Sequence, residues 1–448
     1  MIMQNVKDFG ATGDGVTKDT AAIQRAIDAG GIVRFPPGIY LSGSLYLKSD
    51  GGLFLEPGAV LMASPDKEDY NRDDFCEQNS ASIAENASGA HFIIALEVEN
   101  VVICGGGRVD GNRKSFYGDD REPDCVTEPL RNYRYEKFGK LENIVWRPGQ
   151  MIYICESRNI QIRDVQLYNA PYWTCFVYGC EDIHIRGLRI LNDQRGHQTD
   201  GIDIDCCRRV TVSDCIIDSG DDCITLRGNV RKLKRKMPCE YVTIANCVLH
   251  SVANAIRVGV GDGIIRNVAV SNIVFHHCGT AITVCSNFSK DPNRGAEISN
   301  ISFDNLLMEA MRAFIINCQV RGSTSEPQAK SVRNIHIRQV RGTIWRPNLI
   351  CGSVGKGVYD IVLEDFVLDI ERDLVSDDNH LGPWGEFGVT NPECVVYVSH
   401  ADGVRMERFK VNWENTVTGW NYGVLTYNCK NIEKNDVSIG RPDLDEPY

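Results

Sequence analysis

The sequence predicts an all-β fold: a single-stranded right-handed parallel β-helix of about ten or eleven coils with an N-terminal helical cap. Three observations carry that expectation. A short motif recurs, in which a polar residue leads alternating apolar positions into a second strand-like run. Its copies start mostly 23 to 34 residues apart. Within each copy the apolar period is two and β-branched residues dominate, which argues for strands and against helices.

The copies are NVVICGGGRV (100–109), NIQIRDVQL (159–167), DIHIRGLRI (182–190), RVTVSDCII (209–217), YVTIANCVL (241–249) and NVAVSNIVF (267–275). They continue as NISFDNLLM (300–308), NIHIRQVRG (334–342), DIVLEDFVL (360–368), GVRMERFKV (403–411) and NIEKNDVSI (431–439). A propeller is the competing arrangement, but its blades need about 40 residues and four strands each. Most intervals here are too short for that. Stacked coils place equivalent residues about 4.8 Å apart, the spacing of neighbouring strands. The segment 17–31 reads as a capping helix, with Thr20 or Asp19 as N-cap, Ala22, Ile23, Ala26 and Ile27 as the apolar face and Gly30 as the stop. Three polar stretches, 64–90, 113–143 and 371–395, interrupt the repeat and are the expected walls of a binding cleft. The whole chain, 1–448, is expected to form one domain of this kind.

Composition narrows the function. A net charge of −12 and a pI near 5.3 argue against nucleic acid and anionic membranes as partners, because both need a basic face. No run of 18 apolar residues suggests a membrane span. The opening MIMQNVKDFG lacks the basic start and apolar core of an export signal. Of the 18 cysteines, Cys104, Cys155, Cys175, Cys215, Cys223, Cys247 and Cys278 fall inside apolar strand patterns. They read as reduced core residues of a cytoplasmic protein. No CxxC pairs with a second CxxC or with His, so no metal and no cofactor is expected. The oligomeric state is not legible.

The chemistry concentrates in QTDGIDIDCCRRVTVSDCIIDSGDDCITLR (198–227). Asp200 lies 21 and 22 residues before Asp221 and Asp222, about one coil. Alignment of the coils on Ile202, Ile224, Ile256 and Ile282 gives an outer column Asp200, Asp222, Asn254 and Thr280. The next outward column is Asp203, Thr225, Arg257 and Thr283, followed by Asp205, Arg227, Gly259 and Cys285. Like charges a few ångströms apart cannot all ionise easily, so one carboxyl can serve as acid while another serves as base. Glycoside hydrolysis needs that division of labour. Two other readings of the cluster are open: Asp and Gly favour turns, and hard cations such as calcium also collect carboxylates.

These blocks resemble glycoside hydrolase family 28, the polygalacturonase-like, pectin-degrading β-helix family. VKDFGATGDGVTKDTAAIQRAID (6–28) is similar to its opening segment. RPGQMIYICESRNIQIRDVQLYNAPYWT (147–174) is similar to the segment before its active site. QTDGID (198–203) matches its NTDG block with Gln for Asn, and GDDCI (220–224) its GDD block. The resemblance implies inverting hydrolysis, with Asp221 as general acid and Asp200 and Asp222 holding and deprotonating the attacking water.

The same alignment shows departures. The family's GHG block falls on Ala253, Asn254 and Ala255, and its Arg-Ile-Lys block on Thr283, Val284 and Cys285. The loss of the His and both cations implies a substrate other than plain polygalacturonate, such as a rhamnogalacturonan-type oligosaccharide. Gln198, Asn254, Arg227 and Arg257 are the expected substrate contacts, the two arginines replacing the lost cations. His197 and His250 lie three residues before Asp200 and Ala253 and join that list. The basic run RGNVRKLKRK (227–236) could draw in an acidic oligosaccharide. Trp146, Trp173, Trp345, Trp384 and Trp420 are candidate sugar platforms. Trp384 in LGPWGEF is the preferred one, and Trp173 reads as core. The expected activity is exo-acting cleavage of pectin-derived oligosaccharides. The alternatives are a lyase or intramolecular glycosyl transferase on the same fold, or a non-catalytic sugar-binding β-helix.

Overall fold

The computed structural model describes residues 2–81, 87–117, 146–194, 196, 198–289, 291–319, 329–374, 392–414 and 417–441. These fall into two compact units. The first comprises described residues within 2–117, 146–224 and 229–242, the second those within 225–228 and 243–441.

In the first unit each coil contributes strands to three parallel stacks, and the right-handed parallel β-helix is the resulting architecture. One stack runs Ile93–Leu96, Ile152–Cys155, Cys175–Tyr178 and Ile202–Asp205, with Ile152 opposite Cys175 and Cys175 opposite Ile202. The second runs Glu99–Cys104, Arg158–Arg163, Glu181–Arg186 and Arg208–Ser213. The third runs Arg108–Asp110, Gln166–Tyr168, Arg189–Leu191 and Ile216–Ser219. Each strand pairs with the same strand one coil on, so inward residues such as Ile160, Ile183 and Val210 form an apolar column. In the second unit some strands merge across the corners. Ile264–Cys285, Glu297–Asn317, Val332–Ile344, Val358–Ile370 and Ala401–Trp413 stack in parallel register.

The polar residue that leads each sequence motif has a conformational purpose. Asn100, Asn159, Asp182, Arg209, Tyr241, Asn267, Asn300, Asn334, Asp360 and Asn431 all adopt positive φ between 51° and 59°. A second left-handed corner follows five residues later, at Asp164, Asp214, Asn246, Asn272, Asn305, Gln339, Asp365 and Asp436 among others. Asn and Asp tolerate this region best among residues with a side chain, so the motif is a turn code as well as a strand code. In the second unit the corner amides also bond to one another. Asn300 Nδ2 donates to Asn267 Oδ1 at 3.2 Å and Asn334 Nδ2 to Asn300 Oδ1 at 2.8 Å.

The N-terminal helix spans Thr20–Asp28 and buries Ala22, Ile23, Ala26 and Ile27, as expected. Its capping differs. Asp19 precedes the helix but makes no side-chain cap; its carboxylate accepts instead from the backbone of Thr12 at 2.7 Å and of Gly13 at 2.9 Å. The two amides of the preceding turn take the oxygens that a cap would have used. The cysteines behave as small apolar residues: the 17 described cysteines are outside any disulfide and 15 of them are buried.

Candidate active site

Backbone register between the two Asp blocks brings Asp200, Asp221 and Asp222 together. The Ile202 amide donates to the Cys223 carbonyl at 2.9 Å and the Gly201 amide to that of Asp222, also at 2.9 Å. The bond from Cys175 N to Gly201 O, 3.1 Å, accompanies the Cys175–Ile202 pairing one coil earlier. By the same offset Ile202 lies opposite Ile224, and Asp200 opposite Asp222, about 4.8 Å away along the stack. Both aspartates are buried, at 4% and 1% exposure. Asp221 is half-buried, and its Oδ2 accepts from the Gln198 amide at 3.1 Å. The coil spacing legible in the sequence thus becomes a cluster of three carboxylates with Gln198 at its edge.

Two glycines let the coils close this tightly. A Cβ on Gly201 would lie 2.5 Å from the Cys223 carbonyl oxygen, and one on Gly220 would lie 2.4 Å from that of Gly196. A hydrogen bond from Gly220 N to Thr199 Oγ1, 3.1 Å, ties the two blocks together. Asn192 braces them from the previous coil, donating to Thr174 Oγ1 at 2.7 Å and to the Thr199 carbonyl at 3.2 Å.

Arg147, which sequence reasoning passed over, supports the edge of the cluster. It is fully buried, and its Nη2 donates to Gln198 Oε1 at 2.6 Å. Its Nη1 donates to the Pro171 carbonyl at 3.1 Å and to the Tyr117 hydroxyl. The guanidinium also lies 4.7 Å from the Tyr172 ring centre. A buried cation with this many bonds fixes Gln198, whose own backbone is left-handed at φ 58°. A second buried pair, Arg113 Nη1 to Asp193 Oδ2 at 2.9 Å, stands beside it on Tyr117. The available signal was Arg147 heading the RPGQ block; nothing in the sequence said its side chain would point inward.

The next columns depart from expectation. Asp203 and Asp205 were read on the solvent face but are 0% and 1% exposed. Residues 229–237 fold over them: the Asn229 amide donates to Asp205 Oδ1 at 2.7 Å, and Leu233 and Met237 pack with Phe176, Tyr178 and Cys206. Burial, with Asp203 as the next contribution, pushes the Cys175 thiol up, so that thiol is an inert neighbour. The basic run expected to attract substrate is partly engaged. Lys234 pairs with Glu97 and Arg235 with Glu181, while Leu233 anchors the segment in the apolar cluster.

Trp146 is half-buried at the wall of a cleft of about 700 Å³ lined also by Lys67, Tyr70, Asn71, Arg72 and Asp74. Its ring lies 5.4 Å from that of Tyr70 and 5.6 Å from that of Phe116. The first polar insertion therefore does line a cleft. Trp173, Trp345 and Trp420 are 7%, 5% and 0% exposed and cannot serve as open sugar platforms. Trp173 stacks on Tyr172, and Trp420 donates to the Arg372 carbonyl at 3.1 Å. His197, Trp384, residues 118–143 and residues 375–391 lie outside the described residues.

In the second unit, Arg227 lies in the strand Ile224–Gly228, and Asn254 and Arg257 share the strand Asn254–Gly261. The register expected there holds, with Asn254 opposite Thr280, Arg257 opposite Thr283 and Gly259 opposite Cys285. Asn254 Oδ1 accepts from Thr283 Oγ1 at 2.6 Å, and the Arg257 guanidinium lies 4.6 Å from the Phe288 ring centre. One coil further, the buried Arg312 enters the Asn254–Thr280 column, a cation the sequence alignment did not anticipate. His250 stands apart from these, on the strand Cys239–Ser251, with its ring against His276.

A parallel β-helix with stacked, buried aspartates at one strand edge defines the class of protein. The model of Glycosyl hydrolases family 28 matches residues 74–369, more than half of the chain, and the chain belongs to that family. A second family model, described as Rhamnogalacturonase A/epimerase, pectate lyase-like, matches residues 3–51. A probable polygalacturonase of Vitis vinifera is 28% identical over 68% of this chain and 60% of its own length. An exo-poly-alpha-D-galacturonosidase of Dickeya chrysanthemi is 25% identical over 60% of this chain and 50% of its own. The chain thus spans half to three fifths of the length of these relatives. The fold is shared with the family 28 exopolygalacturonase of Yersinia enterocolitica, at TM-score 0.67 and 19% identity over 96% of this chain and 78% of that one. It is shared also with a hyperthermoactive exopolygalacturonase of Thermotoga maritima, at TM-score 0.61 and 21% identity over 94% and 91% of the two chains.

Proposed function

We propose that this chain hydrolyses a glycosidic bond in pectin-derived or related plant oligosaccharides, with inversion at the anomeric carbon. The observation that carries the reading is the stacking of Asp200 on Asp222 with Asp221 held at Gln198. Asp221, the half-buried member, acts as general acid and passes its proton to the leaving glycosidic oxygen. Asp200 and Asp222 hold a water and take its proton as its oxygen attacks the anomeric carbon from the opposite face. Gln198, fixed by Arg147, keeps the acid oriented.

The names of the relatives, polygalacturonase and exo-poly-alpha-D-galacturonosidase, support pectic material as the substrate class. The absence of the family's His, Arg and Lys at Asn254, Thr283 and Cys285 supports a rhamnogalacturonan-type rather than a plain polygalacturonate chain. Exo action rests on the polar insertions, and a cytoplasmic site of action on the cysteine-rich strand cores.

The deciding experiment digests defined homogalacturonan and rhamnogalacturonan oligosaccharides and follows the products by NMR. The expected result is end-released sugar whose first-formed anomer is inverted, on rhamnogalacturonan in preference to homogalacturonan. Mid-chain fragments would exclude exo action. An unsaturated, ultraviolet-absorbing product would replace the hydrolase with a lyase.

A further inference from the structure

The cleft beside Trp146 lies wholly in the first unit, and none of its side chains enters the acid–base chemistry. Its volume of about 700 Å³ is within the range of small-ligand sites. Its wall is preformed by hydrogen bonds. Asn71 Oδ1 accepts from the His91 amide at 2.7 Å, Asn71 Nδ2 donates to the Gly89 carbonyl at 2.9 Å, and the Gly89 amide donates to Asp73 Oδ1 at 2.9 Å. These bonds pin residues 71–73 to the segment that leads into the strand Ile93–Leu96. Burial pushes the Tyr70 hydroxyl well up, so it stays protonated, and it donates to the Ser64 carbonyl at 2.6 Å.

Two short segments join this cleft to the aspartates. The Phe116 ring lies 5.6 Å from that of Trp146, while its neighbour Tyr117 accepts a hydrogen bond from Arg147. Trp146 lines the cleft, and the next residue, Arg147, reaches Gln198 at 2.6 Å, whose amide holds Asp221. Cleft and acid therefore share one wall. The charges on the cleft's own wall set what fits it. Arg72 and Asp74 neutralise each other, Nε to Oδ1 and Nη2 to Oδ2, both at 3.1 Å. That leaves Lys67 against Glu68 and Asp73. Lys67 Nζ lies 6.0 Å from the Trp146 ring centre, the outer limit of a cation–π contact, so it is readily displaced. A carboxylate entering here meets an excess of negative charge. A neutral sugar meets an aromatic face for its C–H groups and carboxylate acceptors for its hydroxyls, among them the second oxygen of Asp73.

We propose that this cleft is a subsite for a neutral sugar residue of the oligosaccharide that the aspartates cleave. Trp146 is its stacking platform, and Glu68 and Asp73 accept hydrogen bonds from the sugar hydroxyls. The same two carboxylates discriminate against a uronate at this position. The assignment rests on the hydrolase reading for the identity of the ligand as substrate, but the subsite binds without turnover. Its specificity comes from the first polar insertion and not from the strand columns where the sequence placed the substrate contacts Asn254, Arg227 and Arg257.

The test measures binding by calorimetry on the full chain carrying Asp221→Asn, so that no ligand is consumed. The probes are pectic oligosaccharides of equal length that end, at one terminus or the other, in rhamnose or in galacturonate. Expected is binding at least about fivefold tighter for a rhamnose-ended probe than for its galacturonate-ended counterpart. Trp146→Ala should abolish that preference by weakening the rhamnose-ended probe. Glu68→Lys, at an exposed position, should shift the preference toward galacturonate. Circular dichroism verifies that each variant is folded. Equal or tighter binding of the galacturonate-ended probes, no saturable binding of the rhamnose-ended ones, or a preference unchanged in the folded Glu68→Lys chain would overturn the subsite. Cleavage by the chain with Asp221 intact is assayed separately. Cleavage without the preference would sink the subsite alone, and the preference without cleavage the hydrolase reading alone.

Discussion

Asp221 is the residue on which the proposed chemistry turns. Replacing Asp221 with Asn keeps the shape and the acceptor for the Gln198 amide but removes the transferable proton. The expected outcome is a fall in kcat of about a hundred- to ten-thousand-fold with unchanged circular dichroism; full activity would move the acid elsewhere. Arg257, expected from sequence to replace a lost cation, predicts a different signature. Arg257→Gln should raise KM for charged oligosaccharides more than for neutral ones, with little change in kcat. At this scale the sequence was informative about the aspartates because a fixed coil length converts spacing into contact. It was silent about Arg147, because its partners Tyr117, Pro171 and Gln198 come from three separate segments. It also misjudged Asp203 and Asp205, since strand alternation says which face a residue occupies and not what covers that face.

The element that repeats is a short strand bounded by two left-handed corners. Most corners carry Asn, Asp or Gly, but Tyr241 is a bulky exception at φ 57° with half its surface exposed. A left-handed conformation costs such a residue about 1 kcal/mol more than it costs Asn or Gly. Tyr241→Asn should therefore raise the melting temperature by about 2 °C in a calorimetric scan. Charged corners add a pH dependence. Arg209, and more weakly Arg158, hold the Asp182 carboxyl down to about 2 from an ordinary 3.8. A lowered carboxylate contributes its stability above the ordinary value and loses it as pH falls from about 3.8 to about 2. The pair is exposed, so its share is at most about 1 kcal/mol, and the part of the acid destabilisation that Arg209→Gln removes should shrink in high salt.

For the whole molecule, the proposed site in the first unit depends on a cover as well as on the coils. Residues 229–237 carry Leu233 and Met237 into the apolar cluster and bring the Asn229 amide to Asp205. Leu233→Ala should cost about 2–5 kcal/mol of local packing and speed hydrogen exchange at the Asn229 amide. Unaltered exchange there would mean that the cover is held by its ion pairs to Glu97 and Glu181 instead.

The sequence by itself determined the repeat, the parallel strands, the inward apolar columns and the stacking of Asp200 on Asp222. All of these follow from one periodicity and from the fixed distance between neighbouring strands. Only the tertiary structure decided that Arg147 braces Gln198, that Asp203 and Asp205 are covered, and that Trp345 and Trp420 are core. Each of those depends on segments far apart in the chain, which leave no mark in a local pattern.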